Sequence, residues 1–387
     1  MKHPSEHSGC SHKNITSHPG GHPGGHPGGH PAENGKTVGH PASESEIRLV
    51  AWETTRNCNL SCIHCRASAT CGPYTGELDT PAAFTLLEQI AQVGKPIVIL
   101  TGGEPLLRPD IFEITRYGTE LGLRMVMAPN GTLVTTAVAE KMKDSGIHRI
   151  SISIDGATEE QHDSFRGVPG AFQGAMAGIR AAKNAGIEFQ INTTITQLNR
   201  DQIPEILSLA EDLGAVALHI FLLVPTGRGK YIVDQAISAQ EYEETLNWFY
   251  DQKQKTPLQL KATCAPHYYR ILRQRAREEK KQVTFQTYGL DAVTRGCLGG
   301  TGFCFISHTG VVQPCGFLDL NCGDVTTTSF ADIWHNSETF KSLRNADNLK
   351  GKCGICQFRR VCGGCRARAH EATGDYLGQE PLCSYNP

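Results

Sequence analysis

From Ile47 onward the chain alternates between two patterns of apolar and polar residues. One is a short run rich in β-branched residues, over 48–55, 96–101, 124–128, 149–155, 188–196 and 217–224. The other is a longer stretch with apolar residues three and four apart, over 81–93, 110–121, 135–145, 170–185 and 201–213. Several of the longer stretches end on glycine, at Gly94, Gly122, Gly146, Gly186 and Gly214, the residue best suited to the turn that closes a helix. Near-continuous apolar strands alternating with helices predict a parallel sheet covered by helices. Six such units are two short of a closed eightfold barrel, so the expected fold is α/β, a partial (β/α)6 TIM-like barrel left open. The pattern predicts this barrel over 47–236, a helical connector over 237–289, and a domain of short elements organised by cysteine over 290–387.

Residues 1–46 follow neither pattern. His-Pro-Gly-Gly repeats there, with His18, His22, His26 and His30 four apart, and half of the 16 histidines precede residue 41. Proline and glycine at this density form neither helix nor strand, and no apolar residues are available for a core. The expectation is a disordered tail, with imidazoles able to take a divalent metal or a heme-like iron but not needed for catalysis.

Lys plus Arg is 37 and Asp plus Glu is 39. The balance leaves no field to gather nucleic acid or an anionic membrane. The longest apolar run, 217–223, contains His219 and is far short of the roughly 20 residues a bilayer requires. The opening residues Met-Lys-His-Pro-Ser-Glu-His carry no apolar stretch of the secretory kind, so the expected location is cytoplasmic.

Fifteen cysteines change the picture. A reducing compartment disfavours structural disulfides, and grouped thiols there point to metal. Cys58, Cys62, Cys65 and Cys71 form one group; Cys297, Cys304, Cys315 and Cys322 a second; Cys353, Cys356, Cys362, Cys365 and Cys383 a third; Cys10 and Cys264 stand alone. Cys58-x3-Cys62-x2-Cys65 directly follows the first strand. Three thiolates in eight residues suit one face of an iron–sulfur cubane and leave an iron open for a small molecule. A zinc site completed by His64 or Cys71 is the alternative.

The motif resembles the signature of the radical S-adenosylmethionine (SAM) superfamily. Gly102-Gly103-Glu104-Pro105, after the second strand, is similar to the superfamily segment that holds the SAM amino group, where a carboxylate is the natural partner of an ammonium. The resemblance further implies SAM contacts from Asn130, Ser153, Asp155 and Asn192 at strand ends, and from Arg166. It implies a [4Fe–4S] cluster that cleaves SAM reductively to methionine and a 5′-deoxyadenosyl radical.

The C-terminal pattern, Cys297 to Cys315 and then Cys353-x2-Cys356-x5-Cys362-x2-Cys365-x17-Cys383, resembles the SPASM domain. That resemblance implies one or two auxiliary [4Fe–4S] clusters, with Cys297, Cys304, Cys315 and Cys365 on one and Cys353, Cys356, Cys362 and Cys383 on the other. The family has three residues between the last pair of its central motif; Cys362-Gly-Gly-Cys365 has two, which bears on the partition. Zinc ribbons are the alternative for paired Cys-x2-Cys. Cys71 and Cys322 fall outside these patterns and read as buried apolar thiols.

A finer resemblance is to the heme-forming branch of the superfamily, carried by Trp52-Glu53-Thr54-Thr55-Arg56-Asn57-Cys58, Cys65-Arg66-Ala67, Thr263-Cys264-Ala265-Pro266-His267-Tyr268-Tyr269-Arg270 and Gly299-Gly300-Thr301-Gly302-Phe303-Cys304. It implies oxidative decarboxylation of two propionates of iron-coproporphyrin III to vinyl groups, giving heme b, with a small donor such as ferredoxin or flavodoxin. Arg66, Arg228, Lys230 and Arg270 are candidates for the substrate carboxylates, and His267 for an axial iron ligand. The other readings are a sister tetrapyrrole enzyme (a deacetylase of didecarboxysiroheme, or one of heme d1 synthesis), a SPASM peptide maturase, and a non-enzymatic metal- or heme-delivery protein.

Overall fold

A computed structural model describes residues 46–387. The expectations for the histidine-rich segment and for Cys10 fall outside these residues. Six parallel strands lie where the apolar runs predict them: β1 (Leu49–Thr55), β2 (Ile97–Gly102), β3 (Arg124–Met127), β4 (Arg149–Ser153), β5 (Glu188–Ile195) and β6 (Ala217–Leu222). They pair parallel and in chain order, the usual outcome when consecutive elements lie side by side. The helices between them are α1 (Thr80–Val93), α2 (Ile111–Glu120), α3 (Thr136–Asp144), α4 (Glu159–Arg166), α5 (Ala171–Asn184) and α6 (Ile203–Leu213). Polar residues cap α1, α3 and α4: the side chains of Asp79, Thr135 and Thr158 accept from Ala82, Val138 and Gln161 backbone N–H groups, each cap worth about 1 kcal/mol.

Val50, Trp52, Leu100, Ile152, Ile191 and Ile220 from the strands pack in one core with Leu86, Leu87, Ile90, Ile114, Met142, Ile179 and Ile206 from the helices. All are buried, which makes this layer the main source of apolar stabilisation.

The sheet extends past the six expected strands at both edges. The connecting segment supplies α7 (Ala239–Gln252), β7 (Gln259–Thr263) and α8 (His267–Glu278), and β7 pairs parallel to β6. Five residues with alternating burial and a central lysine gave β7 too weak a signal to stand out from the helices around it. On the other side β8 (Phe303–Ile306) pairs parallel to β1, followed by antiparallel β9 (Val311–Gln313) and β10 (Gly323–Asp324). The barrel and the cysteine-rich segment thus share one open sheet, ordered β10-β9-β8-β1-β2-β3-β4-β5-β6-β7. Among the described residues no helix is long and apolar enough to cross a membrane.

Candidate active site and cysteine centres

β1 delivers the chain to a loop carrying Cys58, Cys62 and Cys65, and three other parts of the fold hold that loop. Cys58 donates its N–H to the Thr70 carbonyl at 3.0 Å. Ser61 and Ile63 donate to the carbonyls of Arg166 and Phe165, at 3.1 and 3.0 Å, at the end of α4. After β6, Arg228 donates its N–H to the Cys65 carbonyl at 2.9 Å, and its guanidinium donates to the carbonyls of Cys62 and Ala69, both at 2.7 Å. Gly227 permits this approach: at φ +54° any Cβ would collide with the carbonyl oxygens of Arg66 and Cys65. Gly103 is constrained in the same way by the carbonyls of Asn57 and Arg56.

Cys58 and Cys62 are buried and Cys65 is half-buried. Leu60 N–H donates to Cys58 Sγ at 3.4 Å and Arg166 Nη1 to Cys62 Sγ at 3.6 Å. Burial pushes the Cys58 thiol up to about 12 and raises Cys62 too. Thiols so desolvated ionise readily only when a metal takes the sulfur. Among the described residues, no three His, Cys, Asp or Glu side chains are arranged for a single metal ion, whereas a cubane spreads its thiolates over separate corners. The donor set fits iron and sulfide.

Glu104 lies beside this loop, fully buried at the end of β2. Its carboxylate accepts from Leu106 N–H at 3.1 Å and Asn130 N–H at 2.6 Å. Burial raises its pKa to about 7, against the lowering effect of those two hydrogen bonds. A carboxylate so desolvated gains most from a cationic partner. Asn130 also donates from Nδ2 to Asn59 Oδ1 at 2.8 Å, tying this strand end to the cysteine loop. Ser153, the last residue of β4, is the register partner of Asn192, which lies within β5 rather than at its end because that strand runs on to Ile195; Asn192 Oδ1 accepts from Gln190 Nε2.

Two of the expected contacts are engaged with the protein itself. Arg166 pairs with Asp155 at 2.5 Å, and both are buried. Burial disfavours the Asp155 charge, but the Arg166 and His64 charges outweigh it and hold its carboxyl below the usual range. Arg166 therefore bridges Asp155 and Cys62, beside the cluster loop.

The C-terminal cysteines gather in three places. Cys353, Cys356, Cys362 and Cys383 line one cavity, together with His267 and Arg270. Backbone N–H groups of Glu380 and Phe358 donate to Cys353 Sγ and Cys356 Sγ, each at 3.4 Å. Cys315 and Cys365 meet in a separate apolar cluster with Val224, Leu318 and Ala367, and Cys297 is an electrostatic neighbour of both. Cys304, expected with them, is elsewhere. It is fully buried on β8 opposite Val50, within the main core, and its thiol neighbour is Cys322. The pairing of β8 with β1 places it there, since three of the four β8 residues, Cys304 to Ile306, are buried. Cys264, which stands alone in the sequence, packs against the Cys315–Cys365 cluster instead. Cys71 is exposed rather than buried; Cys322 is half-buried against the main core.

Residues 52–210 match the Radical SAM superfamily, and residues 297–365 match SPASM, an iron-sulfur cluster-binding domain. An AdoMet-dependent heme synthase of Nitratidesulfovibrio vulgaris is 58% identical over 340 residues, covering 88% of this chain and 93% of that protein. The chain belongs to the radical SAM superfamily, among the AdoMet-dependent heme synthases. An Fe-coproporphyrin III synthase of Methanosarcina barkeri is 30% identical over 358 residues, covering 88% of each. In fold the chain is similar to SuiB of Streptococcus suis, solved bound to S-adenosylmethionine: TM-score 0.70 at 16% identity, covering 88% of this chain and 78% of that one. The protein is a radical SAM enzyme whose cofactors are SAM and [4Fe–4S] clusters, with a SPASM-type C-terminal region.

Within this radical SAM enzyme the expected substrate residues divide. Arg66 stays near the cysteine loop, one-fifth exposed, pairing with Glu53 at 3.2 Å and stacked over Phe305. Lys230 is exposed and pairs with Glu371 at 3.1 Å. Arg228 is committed to the cysteine-loop carbonyls. Arg270 is buried, hydrogen-bonded to Glu243 and Gln274, and stacked over Tyr385. His267 is buried beside the four-cysteine cavity, edge-on to Tyr242. These last three side chains are engaged with protein groups: Arg228 with backbone carbonyls, Arg270 with Glu243 and Gln274, and His267 with the lining of the four-cysteine cavity.

Proposed function

We propose that the enzyme oxidatively decarboxylates two propionate side chains of iron-coproporphyrin III to vinyl groups, giving heme b. The observation that carries this reading is the contrast in identity, 58% to a heme synthase against 30% to an Fe-coproporphyrin III synthase. The second protein's name supplies the tetrapyrrole that differs from heme b by two propionate-to-vinyl conversions. On this reading each conversion consumes one SAM and releases one CO2, methionine and 5′-deoxyadenosine.

Cys58, Cys62 and Cys65 would hold the cluster that, with SAM, supplies the hydrogen-atom abstraction. Auxiliary clusters held by the C-terminal cysteines would supply a one-electron sink whose potential the protein can tune. The remaining work belongs to side chains of the barrel. Glu104 receives the SAM ammonium, exchanging desolvation for a charge-assisted hydrogen bond. The α4 end and the Gly227–Arg228 strap fix the cysteine loop, so the reacting groups meet in one geometry. Arg66 is the candidate partner for a propionate carboxylate at the loop. Loss of hydrogen from the propionate β-carbon, then of CO2, leaves the alkene and one surplus electron. A small cytoplasmic electron carrier of the ferredoxin or flavodoxin class supplies the reducing electron for SAM.

Anaerobic incubation with SAM, dithionite and iron-coproporphyrin III, followed by mass spectrometry, tests the reading. Loss of two units of CO2 and four hydrogens from the porphyrin supports it. A porphyrin left unchanged while 5′-deoxyadenosine accumulates rejects it.

A further inference from the structure

Cys264 occupies a position that neither its sequence neighbours nor the SPASM pattern accounts for. β7 ends at Thr263 and α8 begins at His267, and between them Cys264 adopts φ +55°. The left-handed region costs a non-glycine residue roughly 1 kcal/mol or more. Two groups hold this turn in place. Tyr242 Oη donates to the Cys264 carbonyl at 3.0 Å, and Arg368 Nη2 donates to it at 2.6 Å.

Arg368 also pairs with Glu380 at 3.0 Å, and Glu380 accepts the backbone N–H of Cys365 at 2.6 Å. One buried chain of polar contacts therefore runs from the Cys264 carbonyl to the Cys365 peptide. The side chains converge as well. Cys264 and Cys315 both pack against the apolar cluster that contains Cys365. The thiols of Cys365, Cys315 and Cys297 all act electrostatically on that of Cys264. Four cysteines from four segments thus approach one another: the end of β7, the loop before β8, the loop after β9, and the start of the helix Arg366–Thr373.

The thiol that sequence spacing nominates for this group does not reach it. Cys304 is fully buried among Val50, Val312 and Trp334 in the main core, and Cys322 is the thiol that acts on it. Reaching Cys297 would require β8 to turn over, and its pairing with both β1 and β9 prevents that.

We infer that Cys264 is the fourth protein ligand of the auxiliary iron–sulfur cluster held by Cys297, Cys315 and Cys365, and that Cys304 is a core residue. The assignment concerns the cluster only and does not rest on the identity of the substrate. It explains the left-handed backbone at a non-glycine position as the conformation that aims this thiol away from the strand and into the cluster site.

The test uses the full chain, anaerobically reconstituted, with iron and sulfide counted per chain and the reduced clusters examined by EPR. Cys264→Ala should lose up to one cluster's worth of iron, about four atoms, or show the signal of a three-iron form. Cys304→Ala should match wild type in iron, sulfide and spectrum. Cys264→Ala with wild-type iron content and an unchanged spectrum overturns the assignment. A measurement on the unmutated protein guards against loss of folding. Iodoacetamide mapping by mass spectrometry should find Cys264 protected in the loaded protein and labelled together with Cys297 and Cys315 once the iron is stripped. Labelling of Cys264 at the same rate before and after stripping overturns the assignment equally.

Discussion

Arg368→Met tests the contact that locks the C-terminal region onto the barrel. Arg368 is 2% exposed and Glu380 is 3% exposed. Besides the pair at 3.0 Å, the guanidinium donates to the carbonyls of Leu223 at 3.1 Å and Cys264 at 2.6 Å, and to Tyr242 Oη at 3.0 Å. Burial works against the Glu380 charge, but Arg368 outweighs it and holds that carboxyl below its usual range. Removing the cation leaves a buried carboxylate whose remaining donors are the N–H groups of Cys365 and Leu382. Breaking such a pair costs about 3–5 kcal/mol. At about 2.1 cal/mol/K of unfolding entropy per residue, that corresponds to a Tm lower by about 4–7 °C for a chain of this size. Anaerobic calorimetry of the iron-loaded protein reads the shift. Glu380→Gln retains an acceptor for Cys365 N–H, so the double variant with Arg368→Met should cost about 1–3 kcal/mol less than the sum of the singles. A Tm change under about 1 °C for Arg368→Met, or strict additivity in the cycle, would refute the reasoning.

Other consequences follow from the cysteine loop and its supports. Cys58→Ala, Cys62→Ala and Cys65→Ala should each abolish reductive SAM cleavage while the auxiliary clusters' EPR signals persist; cleavage retained in all three would contradict the loop's role. Glu104→Gln should weaken SAM binding about 10- to 100-fold, the loss of one charge-assisted hydrogen bond. Because the Glu104 carboxyl titrates at about 7, wild-type affinity measured by anaerobic equilibrium dialysis should fall as the pH drops below 7, and the variant should lose this dependence. Glu53, at the end of β1, accepts from His308 at 2.8 Å and pairs with Arg66. Burial opposes its charge, but these partners and Arg56 prevail and hold its carboxyl at about 2 against an ordinary 4.5. Its stabilising contribution, about 3 kcal/mol, is present above pH 4.5 and lost as the pH falls toward 2. Acid unfolding of the iron-free chain should show this slope, and Glu53→Gln should flatten it.

What the sequence revealed follows from how local each signal is. Strands β1 to β6 and the helices α1, α2, α3, α5 and α6 carried strong periodicity and glycine stops, and they lie within a few residues of expectation. α4 escaped notice because its eight residues are mostly polar and bury only His162, Phe165 and Arg166. Cys58, Cys62 and Cys65 were legible because three ligands fall on one loop. So were Cys353, Cys356 and Cys362, while Cys383 joined them through the family pattern. Cys264 was invisible because its companions lie on segments far away in the chain. Cys304 was misleading, since spacing gives distance along the chain but not the face of the strand. Arg228 and Arg270 show the same limit: a basic residue in a suggestive motif is equally able to hold backbone carbonyls or pair with a carboxylate such as Glu243.

The measurement that tests the proposed chemistry most directly is deuterium transfer from labelled substrate. Iron-coproporphyrin III deuterated at the propionate β-carbons is turned over anaerobically with unlabelled SAM and dithionite, and the 5′-deoxyadenosine is analysed by mass spectrometry. The account predicts one deuterium gained by 5′-deoxyadenosine for each CO2 released. Vinyl product formed with unlabelled 5′-deoxyadenosine, or label acquired only from substrate deuterated at the α-carbons, would contradict it.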